Sequence, residues 1–245
     1  MKKYVSIALC LLLCLFVIAG CGNDTPAPGT GGSEPEPAPV TEPEPTPEPE
    51  PEPESDPEPP VPTGPLPEAI PGTITMEDGG IIRFELYPHI APQSVYNFIY
   101  LVRDGFYDGL AFHRIMYGFM AQGGCPYGLG FGNPGWAIFG EFADNGFENT
   151  LPHTRGVLSM ARAQYYNSAG SQFFIIHVDG RSASSLDGGY AAFGIVTEGM
   201  DVVDQIMETP NDGPNGSVAA DDMPVIRSIT IDDDVIVPWP EKLAR

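Results

Sequence analysis

Residues 112–124 read FHRIMYGFMAQGG, and this stretch places one cation among large apolar side chains. The cation is Arg114, and the amide of Gln122 follows eight residues later. If the chain bends at Tyr117-Gly118, two strands form and both polar side chains face one surface. Such a surface is an apolar pocket with one fork-shaped donor and one amide that positions it. The alternative is an edge-strand arginine that extends its charge into water, and the residues alone leave both interpretations open.

The segments around this stretch predict antiparallel strands and two helices. Residues 72–77 and 80–87 have the pattern of a hairpin, in which an Asp-Gly pair supplies the turn. Helices are predicted from Pro92 and over residues 200–207, because apolar side chains recur there at helical spacing. Further strands are predicted at residues 156–160, 172–178, 191–196 and 225–231. The pattern favours a mainly β fold, an antiparallel sheet closed into a barrel with helices at its ends.

Three blocks of the sequence resemble the cyclophilin family of peptidyl-prolyl cis-trans isomerases. They are the stretch at 112–124, GVLSMARAQYYNSAGSQFFI at 156–175 and LDGGYAAFGIVTEGMDVVDQI at 186–206. The blocks keep the order of the family, and the likeness covers residues 70–232. The resemblance implies a closed eight-stranded antiparallel β-barrel capped by two α-helices. It also implies isomerisation of proline peptide bonds without a cofactor or a metal.

The resemblance assigns roles to individual residues. Arg114 corresponds to the catalytic arginine of the family, with His113 and Gln122 beside it. The substrate, a proline-containing polypeptide, is expected to bind along the backbone of Ala161, Arg162 and Ala163 and in a pocket lined by Phe119, Met120, Gln172, Phe174, Leu186 and Tyr190.

Three positions depart from the pattern of many eukaryotic members of the family. Arg162 stands in place of an asparagine, Tyr190 in place of a histidine and Ser185 in place of a tryptophan. The first two resemble bacterial variants and leave the chemistry intact. The third removes an aromatic wall, so we expect weak binding of cyclosporin and a lower affinity for some substrates.

Other motifs in the chain have simpler explanations than chemistry. Residues 130–135 match a dinucleotide-binding spacing, but they contain a proline and open no predicted helix. The four histidines lack metal-ligand spacing, and no Gly-x-Ser-x-Gly elbow supports a serine nucleophile. The glycosylation sequon at residues 215–217 is discounted, because residues 18–21 resemble a bacterial lipobox. We therefore expect no cofactor and no metal.

The N-terminus predicts export and attachment to a membrane. Two lysines precede an apolar run at residues 5–18, which is short for a membrane span, and small residues follow it. Residues 18–21 resemble a bacterial lipobox, which implies a lipoprotein signal peptide over residues 1–20 and a lipid on Cys21. An uncleaved transmembrane anchor is the alternative. The predicted location is extracytoplasmic, with the lipid anchoring the protein to a bacterial cell membrane.

Residues 21–67 are predicted to be a disordered linker, and residues 68–245 one folded domain. The linker consists largely of Pro, Glu, Gly and Thr, so it cannot bury enough apolar surface to fold, and we interpret it as a spacer rather than a ligand for a proline-binding domain. The net charge of -22 disfavours nucleic acid as a partner, and we expect a monomer. Cys125 is the one cysteine of the domain, so an internal disulfide is excluded. We interpret it as a buried thiol rather than a nucleophile.

The predicted function depends on Arg114. Twisting an X-Pro bond ends its conjugation, and the imide nitrogen regains a lone pair to which an arginine can donate. The rival hypotheses are a catalytically weak module that binds proline-containing peptides and a structural envelope protein. Neither requires Arg114, Gln122, Phe119 and Phe174 together. The sequence therefore predicts a peptidyl-prolyl isomerase that assists the folding of exported proteins.

Overall fold

The computed structural model describes residues 64–211, 213–232 and 234–244. In this part of the chain there are eight strands, β1 (Ile70–Met76), β2 (Ile81–Leu86), β3 (Arg114–Met116), β4 (Met120–Gly123), β5 (Val157–Met160), β6 (Phe173–Ile176), β7 (Ala192–Glu198) and β8 (Ile226–Ile231). The α-helices of the same part are α1 (Pro92–Arg103), α2 (Arg181–Ser184) and α3 (Met200–Met207). Short 3-10 turns occur at Ala143–Asn145, Pro214–Gly216 and Ala220–Asp222.

The strands form one antiparallel sheet in the order β3-β4-β6-β5-β7-β2-β1-β8. The expected mainly β, antiparallel architecture is confirmed, but the expectation of a closed barrel is wrong. In the described ranges no ladder joins β3 to β8, although the chain before β3 meets the start of β8 through an isolated bridge between Ala111 and Val225 and three backbone hydrogen bonds between residues 109–112 and 224–226. The outer edge of β3 pairs instead with an irregular segment, because Val218 donates its N–H to His113 O at 3.0 Å and Ser217 forms a bridge with Arg114. The sheet is therefore a half-barrel that is open beside β3.

Strand β6 has apolar residues on both of its faces. Phe173 and Ile175 belong to the main core, whereas Phe174 and Ile176 belong to a second apolar cluster. Alternate residues of a strand point to opposite faces of its sheet, so the continuous apolar run FFII buries both faces. Helix α1 packs on the main-core face, where the ring of Phe98 lies 5.3 Å from that of Phe173. The second cluster therefore lies on the face of β6 opposite α1.

The start of α1 is held by a side chain from elsewhere in the sequence. Ala91 at the N-cap has no side chain that can accept a hydrogen bond. The carboxylate of Glu141 accepts the N–H groups of Gln93 and Ser94, each at 2.8 Å, and the Ser94 hydroxyl at 2.7 Å. Burial raises the pKa of the Glu141 carboxyl, and these hydrogen bonds oppose that rise. Glu141 thereby satisfies the N–H groups that a helix leaves open at its first turn.

Most predicted elements lie within two residues of the observed ones. Both predicted helices are confirmed, and the predicted Asp-Gly turn between β1 and β2 places Gly79 at a φ of 92°. Helix α2 and the packing of the C-terminal segment were not predicted. In that segment Leu243 pairs with Ala137, and Lys242 Nζ lies 4.2 Å from the ring centroid of Trp136. No helix in the described ranges has the length and apolarity that crossing a membrane requires.

Candidate active site

A row of paired residues crosses four neighbouring strands of the sheet. Arg114 on β3 pairs with Gln122 on β4, Gln122 pairs with Phe174 on β6, and Phe174 pairs with Ser159 on β5. Directly paired residues present their side chains on the same face of a sheet. The predicted bend at Tyr117-Gly118 is confirmed, because Phe119 N–H bonds to Met116 O at 2.9 Å and closes the β3–β4 hairpin. The register therefore brings together residues that are far apart in the sequence.

Neutral acceptors hold the guanidinium of Arg114. Its Nε donates to the backbone oxygen of Asn215 at 2.9 Å, and its Nη2 donates to Asn215 Oδ1 at 3.0 Å and to Met116 Sδ. Its Nη1 donates to Gln122 Oε1 at 3.0 Å. None of the ion pairs in the described part of the chain includes Arg114. Burial lowers the pKa of Arg114, but a guanidinium remains charged at neutral pH, so this site keeps an uncompensated positive charge.

A chain of amides fixes the orientation of Gln122. Gln122 Nε2 donates to Gln172 Oε1 at 2.9 Å, and Gln172 Nε2 donates to the backbone oxygens of Gly130 and Gly132 at 3.0 and 2.8 Å. The side-chain nitrogens of both glutamines therefore already donate to acceptors within the domain. Gln122 is left with its oxygen directed at Arg114, which is the orientation needed to hold a cation.

The predicted apolar residues come together beside the arginine. Met120 and Phe174 are buried in the second apolar cluster, and partly buried Phe119, Ala161, Leu186 and Tyr190 pack against it. The rings of Phe174 and Tyr190 meet edge to face with centroids 5.9 Å apart. Because Phe174 is paired with Gln122, this apolar wall borders the guanidinium.

The segment at residues 161–163 is only partly open to a substrate. Ala161 N–H bonds to Gln172 O at 2.9 Å, and Ala163 N–H bonds to Ser168 Oγ at 3.0 Å. Among the described residues, no hydrogen bond engages the backbone N–H or C=O of Arg162. The structure therefore leaves one residue of this segment able to pair with an added strand.

The side chain of Arg162 is enclosed by aromatic rings. Its guanidinium lies 4.7 Å from the ring centroid of Tyr190, 5.1 Å from that of Phe142 and 5.3 Å from that of Tyr166. Its Nε donates to Gly189 O at 2.8 Å. Cation–π contacts of this kind fix both partners, so Arg162 braces Tyr190 against the apolar wall.

His113 lies beside Arg114 in the sequence but does not bond to it. Its side chain is buried, and its ring nitrogens have no hydrogen-bond partner among the described residues. Burial lowers the pKa of His113, the backbone of Ala111 partly opposes this shift, and the charge of Arg114 adds to it. The ring is therefore neutral at pH 7 and contributes packing rather than charge to this region.

A Ser-His-Asp arrangement lies beneath the apolar wall. His153 Nδ1 is 2.8 Å from Asp187 Oδ1, and His153 Nε2 is 2.9 Å from Ser159 Oγ. Ser159 is fully buried, so no substrate reaches its hydroxyl, and the His153 ring stacks on Phe174 with centroids 6.2 Å apart. This network supports the wall and is not a hydrolytic triad. Sequence reasoning missed it, because no local motif marks it.

Sequence reasoning also missed Asn215. It adopts a φ of 61°, the left-handed region that asparagine tolerates better than most residues, within Pro214–Gly216. This conformation directs both its backbone oxygen and its side-chain oxygen at Arg114.

No three His, Cys, Asp or Glu side chains of the described part lie together as a metal site requires.

Comparisons with known proteins give a consistent result. A family model described as cyclophilin type peptidyl-prolyl cis-trans isomerase/CLD matches residues 73–231. Peptidyl-prolyl cis-trans isomerase B of Bacillus subtilis (strain 168) is 48% identical over 132 residues, which cover 53% of this chain and 85% of that protein. The protein of the same name from Escherichia coli (strain K12) is 40% identical over 163 residues, which cover 63% of this chain and 95% of the relative.

A solved structure supports the same likeness. A cyclophilin type peptidyl-prolyl cis-trans isomerase of Cryptosporidium parvum superposes with a TM-score of 0.58 at 30% identity, covering 68% of this chain and 99% of that one. The structure of that isomerase in the presence of the dipeptide ala-pro gives a TM-score of 0.57 at 31% identity, with 67% of this chain and 99% of that one covered.

The burial of His153 makes the stability of the fold depend on pH. Burial lowers the pKa of His153, while Asp187 partly opposes the shift. The unfolded chain therefore binds a proton more readily than the folded one, and stability is lost as the pH falls through about 6.5 and below. Urea denaturation at about pH 7.5 and about pH 5.5 should show a larger loss of unfolding free energy in the wild type than in His153→Gln. Equal losses in the two proteins would contradict this account.

Proposed function

The chain belongs to the cyclophilin-type peptidyl-prolyl cis-trans isomerase family, and we propose that Arg114 is the group through which it lowers the barrier to X-Pro rotation. The barrier is roughly 18–20 kcal/mol, because the planar bond is conjugated. In the twisted state the imide nitrogen carries a lone pair that accepts a hydrogen bond. A donor that meets this lone pair stabilises the twisted state and neither planar isomer, which is the condition for faster rotation.

The number of occupied donors on Arg114 is the observation that carries this proposal. A guanidinium has five N–H groups. The one N–H of Nε donates to Asn215, and the two N–H groups of Nη2 donate to Asn215 and Met116. One of the two N–H groups of Nη1 donates to Gln122. Among the described residues, the second N–H of Nη1 has no acceptor. One donor of a charged, fixed group therefore remains for the substrate.

The surroundings of the arginine suit a proline-containing chain. The wall of Phe119, Met120, Phe174 and Leu186 offers apolar contact to the proline ring and excludes water, which strengthens a hydrogen bond from Arg114. The N–H and C=O of Arg162 offer one rung of an added strand to the substrate backbone. The Cryptosporidium parvum relative was crystallised in the presence of ala-pro, which supports an X-Pro ligand for this fold.

We also propose that the enzyme acts outside the cytoplasm on exported chains and is anchored through Cys21. The support is the sequence of residues 1–21, and the signal, the lipidation site and the linker through residue 63 lie outside the described residues. The monomeric state and the absence of nucleic acid as a partner stay predictions. Weak cyclosporin binding stays a prediction too, and Ser185, which stands in place of the aromatic, is exposed next to α2.

Removing the guanidinium should lower turnover. We expect Arg114→Ala to reduce kcat/KM on an X-Pro peptide at least about tenfold, or roughly 1.4 kcal/mol, because the donor to the twisted imide is lost. A protease-coupled assay measures this. Arg83→Ala, which removes an exposed arginine on β2, is the control and should keep wild-type turnover. If folded Arg114→Ala turns over like the wild type, Arg114 has no part in the mechanism.

Removing the side-chain acceptor that positions Arg114 should lower kcat and leave KM nearly unchanged. Asn215→Gly keeps the backbone acceptor and the positive φ but removes Oδ1, so we expect kcat to fall roughly threefold to tenfold with little change in KM. Asn215→Asp restores an acceptor but pairs the guanidinium with a carboxylate, so its kcat should fall below that of Asn215→Gly. Wild-type kcat in both variants would remove Asn215 from the positioning of Arg114.

The anchor is tested by fractionating cells that express the full chain. The wild type should be recovered with membranes, and Cys21→Ser should be recovered in the soluble extracytoplasmic fraction, because the lipid has no attachment point. Cys125→Ser is the matched control and should remain with membranes. Retention of Cys21→Ser in the membrane would favour the alternative of an uncleaved transmembrane anchor.

A further inference from the structure

The loop after β4 exposes three large apolar side chains in succession. Tyr127, Leu129 and Phe131 have exposed fractions of 68%, 66% and 71%, and single glycines separate them. The rings of Tyr127 and Phe131 have centroids 6.2 Å apart. Exposed apolar groups that lie together, as these two rings do, mark interaction sites on soluble proteins. We refer to these three side chains as the apolar rim.

Hydrogen bonds within the domain fix the backbone of this loop. Cys125 Sγ accepts the N–H groups of Gly130 and Gly132 at 3.3 and 3.4 Å, and Gln172 binds the oxygens of the same two glycines. Burial raises the pKa of Cys125, but the N–H groups of the loop outweigh burial, and its pKa is lowered. The backbone that carries the apolar rim is therefore fixed before a ligand arrives, which reduces the entropy lost on binding.

The apolar rim borders the substrate groove. Phe131 lines a cavity of about 270 Å³ together with Gln122, Gln172 and Arg162. Gln122 and Gln172 are the amides that orient Arg114, and Arg162 carries the backbone groups that are open to an added strand. A substrate chain that pairs with Arg162 therefore passes this cavity within a few residues of its proline.

Charge also favours an apolar occupant. Residues 125–135 contain no charged side chain, although the whole chain has a net charge of -22. An apolar segment can thus approach the rim without removing water from a carboxylate, which would be costly. Unfolded polypeptides expose the Leu, Phe and Tyr side chains that folded proteins bury.

We propose that the apolar rim binds large apolar side chains next to the isomerised X-Pro bond, so that the enzyme selects prolines within apolar stretches of unfolded chains. The inference rests on the proposed function, because it takes residues 161–163 as the path of the substrate. The site would thereby distinguish prolines in future core segments from prolines in polar linkers.

Two peptides of equal length with the same X-Pro bond test this selection. One carries Leu and Phe on both sides of the bond, and the other carries Ser and Gly. We expect the wild-type enzyme to favour the apolar peptide by at least about tenfold in kcat/KM, and Tyr127→Ser/Leu129→Ser/Phe131→Ser to favour it by less than about threefold. Ile236→Ser removes an exposed apolar side chain of the C-terminal segment and should keep the wild-type ratio.

Each contrary result has a distinct meaning. If the active wild-type enzyme has nearly the same kcat/KM on the apolar and the polar peptide, the inference is overturned and the role of Arg114 is unaffected. If the wild-type enzyme turns over neither peptide, the proposed function is overturned as well. If the triple variant fails to fold, as judged by urea denaturation, Phe131→Ser alone should still lower the ratio. A dimer in sedimentation experiments that Phe131→Ser abolishes would show that the rim binds a second copy, and would overturn the inference.

Discussion

The proposed catalysis depends on holding the guanidinium of Arg114 in place without neutralising its charge. A carboxylate would fix Arg114 strongly, but it would also satisfy the charge that the twisted imide needs. Gln122 and Asn215 offer oxygen dipoles instead, so the guanidinium is positioned while its charge stays available. This arrangement explains why the sheet is open at β3. The segment that carries Asn215 lies along the outer edge of β3, where a continuous ladder with a closing strand would leave no room for it.

The wall beside the arginine is rigid because it is supported from both sides of the sheet. Phe174 is one residue of a strand whose other face is in the main core, and its ring stacks on buried His153. His153 in turn lies between Asp187 and Ser159, so its ring cannot turn without breaking a hydrogen bond. If this pocket binds a proline ring, as we propose, such support favours binding, because a flexible wall would not hold the ring in a single orientation.

Local patterns predicted helices α1 and α3, most strands and three residues of the row (Arg114, Gln122 and Phe174), because periodicity and block resemblance are both properties of short stretches. Arg114 and Gln122 are eight residues apart in one hairpin, so their pairing follows from a single bend. Asn215 is 101 residues from Arg114, and its role depends on a left-handed φ and on where its segment crosses β3, which no short stretch encodes. The open edge was missed for the same reason, since closure depends on what lies beside a three-residue strand. The burial of His153 between Ser159 and Asp187, which are 6 and 34 residues away in the sequence, likewise has no local sequence pattern.

In the proposed mechanism the remaining N–H of Arg114 stabilises only the twisted state, so it lowers the barrier from the cis and from the trans isomer by the same amount. In either planar isomer the nitrogen lone pair is delocalised and accepts poorly, so the donor gains nothing until the bond twists. A hydrogen bond from a charged group contributes about 1.5–3 kcal/mol net, which corresponds to roughly tenfold to 150-fold in rate. The remaining acceleration must come from water exclusion by the wall, which strengthens that bond, and from anchoring the chain on one side of the proline while the other side turns. In the proposed mechanism the rate therefore depends on Arg114, whereas the choice of substrate depends on the residues that surround the rotating bond.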